Sequence, residues 1–159
     1  MTLSSFLALG FFLAVSVVVA SSGAIFRPGA WYARLAKPAW TPPNWAFPVV
    51  WSVLFLMMAI SGWLAWRAAG FSLPVFAPFA LQMLLNASWS WLFFGRRRMD
   101  LAFADLVALW LAIAATILSF AAVSAAAAWL LVPYLVWVTI AGCLNWSVWR
   151  RNPGIGKMA

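Results

Sequence analysis

Charged side chains are so sparse along this chain that they leave four uninterrupted apolar stretches, residues 1–26, 38–66, 68–95 and 106–149. A helix needs about 20 apolar residues to cross a hydrocarbon core. The first three stretches therefore supply one span each. The fourth would overrun a bilayer as a single helix at about 1.5 Å per residue, so it must fold back once. The pattern predicts an all-α fold, a single-domain integral membrane bundle of five transmembrane helices. The spans fall at about 4–25, 45–66, 73–94, 101–122 and 125–149.

Local signals place several ends. Gly70 is expected to close the second span, Ser72 to cap the third with Pro74 in its first turn, and Asp100 to cap the fourth. Ser124 is the best cap for a last helix beginning at Ala125. Between the first two spans, Lys37 to Trp51 holds Trp40, Trp45 and Trp51 together with Pro38, Pro42, Pro43 and Pro48. Proline fixes φ and removes a donor, so this stretch is expected to be irregular until Pro48 is passed. Irregular backbone near a bilayer must be buried or line a cavity, which makes the segment an aromatic lid at the mouth of the bundle.

Composition fits this picture and narrows the chemistry. Of 159 residues, 67% are hydrophobic and 8% charged, far from the roughly 25% charged of soluble domains. The apolar run Phe6–Ala20 has no basic segment before it, so it reads as a span rather than a cleaved signal, and no Arg-rich transit peptide is present. Both features favour direct insertion into a bacterial cell membrane. The chain has no histidine and one cysteine, Cys143, inside an apolar run. The commonest metal ligand and general base are thus missing, and no catalytic residue, metal site or required cofactor is predicted.

The net charge of +8 does not point to nucleic acid, because the basic residues sit at the ends of apolar runs and form no face of their own. They report topology instead. With five spans, Arg27, Arg34, Lys37, Arg96, Arg97, Arg98, Arg150, Arg151 and Lys157 share one side, and Arg67 stands alone on the other. The positive-inside rule puts the first group in the cytoplasm, with the N-terminus outside and the C-terminus inside.

The 13 tryptophans divide between belt and interior. Trp63, Trp66 and Trp129 suit an outer interfacial belt, and Trp146 and Trp149 an inner one. Three helical stripes resist that reading: Trp51, Phe55, Met58 and Gly62 on the second span; Gln82, Asn86, Trp89 and Phe93 on the third; Trp137, Ala141, Asn145 and Val148 on the fifth. Amides facing lipid are costly, so the stripes should face inward, either bonding helix to helix or lining a cavity with flat walls. Asp105 is the one acid within an apolar run. Its expected role is pairing with Arg96–Arg98 or Lys37, with proton coupling as the alternative. Ala104, Ala108 and Ala112 form a small-residue ridge suited to close helix packing.

The residues also resemble a known family. Trp31-Tyr32 with Leu35, Lys37-Pro38-Ala39-Trp40-Thr41-Pro42-Pro43, and Phe47-Pro48 with Trp51 match blocks of the TspO/MBR family, the tryptophan-rich sensory proteins related to the mitochondrial translocator protein. Gln82 with Leu85-Asn86 and Trp89, Phe93-Phe94-Gly95, Pro133-Tyr134-Leu135 with Trp137, and Leu144-Asn145 with Val148-Trp149-Arg150 continue the match in order. The resemblance implies a five-helix bundle, commonly a homodimer, with a pocket toward the cytoplasmic side beneath the first loop. It implies porphyrin as the ligand, held by Trp40, Trp45, Trp51, Phe55, Asn86, Trp89, Trp137, Ala141 and Asn145. Phe55 stands where the family usually has Tyr, which removes a hydroxyl. Trp146 replaces the Tyr of the animal cholesterol-recognition pattern, so sterol binding is not predicted.

A receptor or sensor of tetrapyrroles is therefore the expected function, in porphyrin sensing, transport or scavenging within membrane lipid. The missing histidine suits a metal-free porphyrin. The alternatives are light- or oxygen-dependent porphyrin breakdown and a small transporter that uses Asp105.

Overall fold

Helices form where the apolar stretches lie, and most of their ends have a local cause. The computed structural model describes residues 2–155; Lys157, counted above among the basic residues, lies outside them. Helix α1 runs Leu3–Ile25, α2 is a single turn at Ala30–Ala33 in the first loop, and α3 spans Ala46–Ala69. Helix α4 covers Leu73–Ser90 and continues as a π-helical segment over Trp91–Gly95. Helices α5, Met99–Ala121, and α6, Ala125–Arg151, complete the bundle. No strand occurs among the described residues, so their fold is all-helical.

Four helices, α1, α3, α5 and α6, are long and apolar enough to cross a membrane. The expected third span, α4, does not meet that standard by length and composition alone. It has 18 residues, with two prolines and the amides Gln82 and Asn86 among them.

The ends refine the sequence reading. Gly70 closes α3 at φ +65°, a left-handed conformation that glycine adopts without a Cβ penalty. The Ser124 hydroxyl caps α6 by accepting from the Ala127 N–H at 3.3 Å. Ser72 does sit at the α4 N-cap, yet its hydroxyl makes no capping bond. An N-cap oxygen accepts from the second or third helical N–H, and the second here is Pro74, which has none. Asp100 is not the cap of α5 either; Arg98 occupies that position, and the Asp100 carboxylate accepts from its Nε at 2.9 Å and Nη2 at 2.7 Å. Helix α3 begins at Ala46, before Pro48 rather than after it. A first-turn N–H has no intrahelical acceptor, so proline is tolerated there.

Packing closes the long helices into a ring: α1 on α3, α3 on α6, α6 on α5, α5 on α4, and α4 back on α1. One half of the interior is filled by aromatic rings. Phe12 meets Phe79 edge-on at 5.9 Å between centroids, and Phe79 stacks on Phe120 at 5.5 Å. Gly62 lets α3 approach this plug, since a Cβ there would stand 2.6 Å from Phe12 Cδ1. The outer faces are apolar as well, with Leu7, Val18, Leu84, Leu118 and Trp129 exposed. An apolar exterior around an apolar core is expected of a protein solvated by lipid.

The first loop is tied to the end of the bundle. Buried Asn152, just beyond α6, accepts from the Ala36 N–H at 3.0 Å and donates to the Ala36 carbonyl at 2.9 Å and the Val148 carbonyl at 2.7 Å. Tyr32 and Leu35 of that loop pack with Phe93, Met99 and Val148. Burial raises the Tyr32 phenol above its ordinary value.

Candidate functional site

The half of the ring nearest the first loop is open, forming a cavity of about 840 Å³. That is within the roughly 300–1,000 Å³ of small-molecule sites. Its wall is largely apolar and comes from α1, α3, α4, α6 and the loop, with Leu106 and Leu109 of α5 behind.

The inward stripes meet here. Trp51 and Phe55 of α3 line the cavity with ring centroids 5.5 Å apart, and Trp51 meets the Tyr134 ring edge-on at 6.1 Å. From α4 come Asn86 and Trp89, and from the π-helical segment Phe93, whose ring stacks on Trp89 at 5.2 Å. Trp137, Ala141, Asn145 and Val148 of α6 complete the opposite wall. Farther along the stripes, Met58 and Gln82 are buried in packing rather than in the cavity lining. Gly62 lies against Phe12 in the aromatic plug and does not line the cavity.

Polar groups on this wall are few and partly engaged. Asn86 Nδ2 donates to the Tyr134 hydroxyl at 2.7 Å, and Asn145 Nδ2 to the Met99 carbonyl at 2.9 Å. Ser16 Oγ, Trp89 Nε1, Trp137 Nε1 and Asn145 Oδ1 are buried with no partner among the described residues. Two indole donors, one amide acceptor and one hydroxyl on wall residues are thus left without a protein partner.

Trp40 and Trp45 are not brought to the cavity. They are 52% and 69% exposed and do not line it. Trp45 is the N-cap residue of α3, and its neighbours Asn44, Phe47 and Pro48 line the wall instead. Asp105 also differs from expectation. Its Oδ1 accepts from the Ser88 hydroxyl at 2.6 Å, Arg98 is occupied by Asp100, and Lys37 lies over the Tyr32 ring at 4.5 Å. Asp105 does not line the cavity.

The contribution of α1 was not anticipated from sequence. Leu13, Ser16, Val17, Ala20 and Gly23 form one side of the cavity. Helix α1 is apolar around most of its circumference, and its few serines, Ser16 of the wall among them, are too scattered to form a stripe that marks which residues turn inward.

These features define a class: a multi-pass, helical membrane protein with a ligand-sized, aromatic-walled cavity. The TspO/MBR family model matches residues 10–150. Protein CrtK of Rhodobacter capsulatus is 46% identical over 140 residues, covering 84% of this chain and 86% of that protein. Tryptophan-rich protein TspO of Chlorobaculum tepidum is 40% identical, covering 92% and 97% respectively. Translocator protein of Sus scrofa is 42% identical, covering 78% and 76%. The chain belongs to the TspO/MBR family.

Proposed function

We propose that this chain is a membrane receptor that binds tetrapyrroles of the protoporphyrin type in the cavity, serving porphyrin sensing, transport or scavenging. The observation that carries the reading is the cavity of about 840 Å³ with Trp51, Phe55, Trp89 and Trp137 in its wall. Flat indole and phenyl faces suit a flat macrocycle, because offset stacking adds to the free energy of apolar burial. The names of the relatives, a tryptophan-rich protein and a translocator protein, are compatible with sensing and with transport. Asp105 lies outside the cavity lining, so the transport variant that depends on it receives no added support.

Titration of the purified protein with protoporphyrin, followed by tryptophan fluorescence, tests this. Saturable quenching is expected, with affinity lowered about tenfold or more in Trp51→Ala and Trp137→Ala, given the stacking and burial each ring provides. Absence of quenching, or an affinity unchanged in both variants, would overturn the reading.

We also infer that α4 and its π-helical continuation cross the membrane as a fifth span, with the N-terminus outside. Residues 73–95 reach roughly 35 Å at helical rise, enough for a hydrocarbon core of about 30 Å. The charge asymmetry of the loops then puts Arg96–Arg98 and Arg150–Arg151 in the cytoplasm, where the cavity mouth would open. A reporter fused to the C-terminus should be active only in the cytoplasm; activity confined to the outer face would contradict both span count and orientation.

A further inference from the structure

Beside the large cavity lies a second one of about 230 Å³ with the opposite chemistry, lined by Arg27, Arg34 and Arg97 together with Gly29, Trp31 and Phe94. The one ion pair among the described residues joins Arg98 to Asp100, so none of these three guanidiniums has a described carboxylate partner. Arg27 Nε donates to the Ala24 carbonyl at 2.7 Å and Arg34 Nε to the Ala30 carbonyl at 3.3 Å. Those bonds steady the two side chains and leave their terminal Nη groups unengaged by any described residue. The Arg97 guanidinium lies 5.9 Å from the centre of the Trp31 ring. Arg97 is also the one described non-glycine in the left-handed region, at φ 55°. Such backbone is disfavoured for residues with a Cβ and concentrates at ligand clamps.

The two cavities adjoin, because Arg27 and Phe94 line both. A ligand seated in the apolar cavity therefore has a route for an anionic substituent into the arginine cluster. Guanidinium groups bind carboxylates through paired, charge-assisted hydrogen bonds, and three of them in one concavity repel each other until an anion arrives. We propose that the small cavity is a carboxylate subsite, in which Arg34 and Arg97, with Arg27 at the junction, hold the acid group of a ligand whose ring body fills the large cavity. This rests on the ligand-site reading above and adds a chemical selection, for acidic over neutral polycyclic ligands. Lipid phosphate has similar charge chemistry, but continuity with the apolar cavity favours a carboxylate carried by the ligand itself.

The test compares protoporphyrin IX with its dimethyl ester, which has the same ring and no ionised acid, on the full-length protein in non-ionic detergent. Wild type should bind the free acid at least about tenfold more tightly. Arg34→Gln/Arg97→Gln should lose most of that preference while its affinity for the ester stays unchanged. Arg27 is left intact because it also borders the large cavity. Equal binding of acid and ester by wild type, or a preference that survives in the double variant, overturns the subsite and leaves the tetrapyrrole reading standing. Failure of both ligands to bind removes that reading and the subsite with it. Adding short-chain phosphatidylglycerol provides the last arm. An acid preference that persists supports the proposal, and one abolished by the lipid reassigns the arginines to a headgroup phosphate and overturns it.

Discussion

Gly62 is the residue on which the aromatic plug turns. Its hydrogen faces the Phe12 ring, and a methyl group would also come within 3.1 Å of Phe79 Cζ. Both rings are held by further aromatic neighbours, Phe71, Phe76 and Phe120 among them. Overpacking of this kind costs about 1–3 kcal/mol, so Gly62→Ala should lower the thermal unfolding midpoint in detergent. An unchanged midpoint would mean that the plug yields. The sequence placed Gly62 on the correct stripe but gave no hint that its partner was Phe12, 50 positions earlier, because the meeting depends on how α1 docks on α3. Asp105 teaches the same lesson. A nearby cation was the natural partner by charge, whereas the helix register supplies Ser88. Ser88→Ala should cost about 1–3 kcal/mol by leaving a buried acceptor unpaired, and Asp105→Asn, which keeps an acceptor for Ser88, should cost less in the same unfolding assay.

At the scale of the element, periodicity was legible wherever polarity varied along a helix. The inward faces of α4 and α6 could be read because Asn86 and Asn145 are unfavourable in lipid and recur with tryptophan at helical spacing. Helix α1 offers no such contrast, and its share of the wall emerged only from packing. The π-helical segment at Trp91–Gly95 was equally hidden, since no residue type specifies it. It brings Phe93 and Phe94 together, 4.9 Å between centroids, and both line the large cavity. π-Bulges are common at functional sites because they re-aim side chains within an otherwise regular helix. The α5–α6 turn, by contrast, was readable from one hydroxyl. Ser124→Ala should reduce stability by about 1 kcal/mol through loss of the cap, and Ser124→Asp should largely preserve it, as judged by denaturation in a mild detergent series.

For the whole molecule, the ring of helices divides its interior into a plugged half and an open half, and the first loop closes over the open one. That loop is secured by Asn152, which satisfies both backbone groups of Ala36 while also bonding Val148. Removing the amide leaves the loop without this attachment. In Asn152→Ala, hydrogen exchange should quicken over residues 30–45 while the cores of α3 and α6 remain protected. Equal exchange in both proteins would show that Tyr32 and Leu35 suffice. Nothing near Asn152 in the sequence marks it as a fastener, because its partner is 116 positions away. That separation gives the contact a place in time as well as in space. The loop is made soon after the first helix, but the residue that fastens it leaves the ribosome only after all the described helices have been synthesised, so the loop is fastened over the cavity late in assembly.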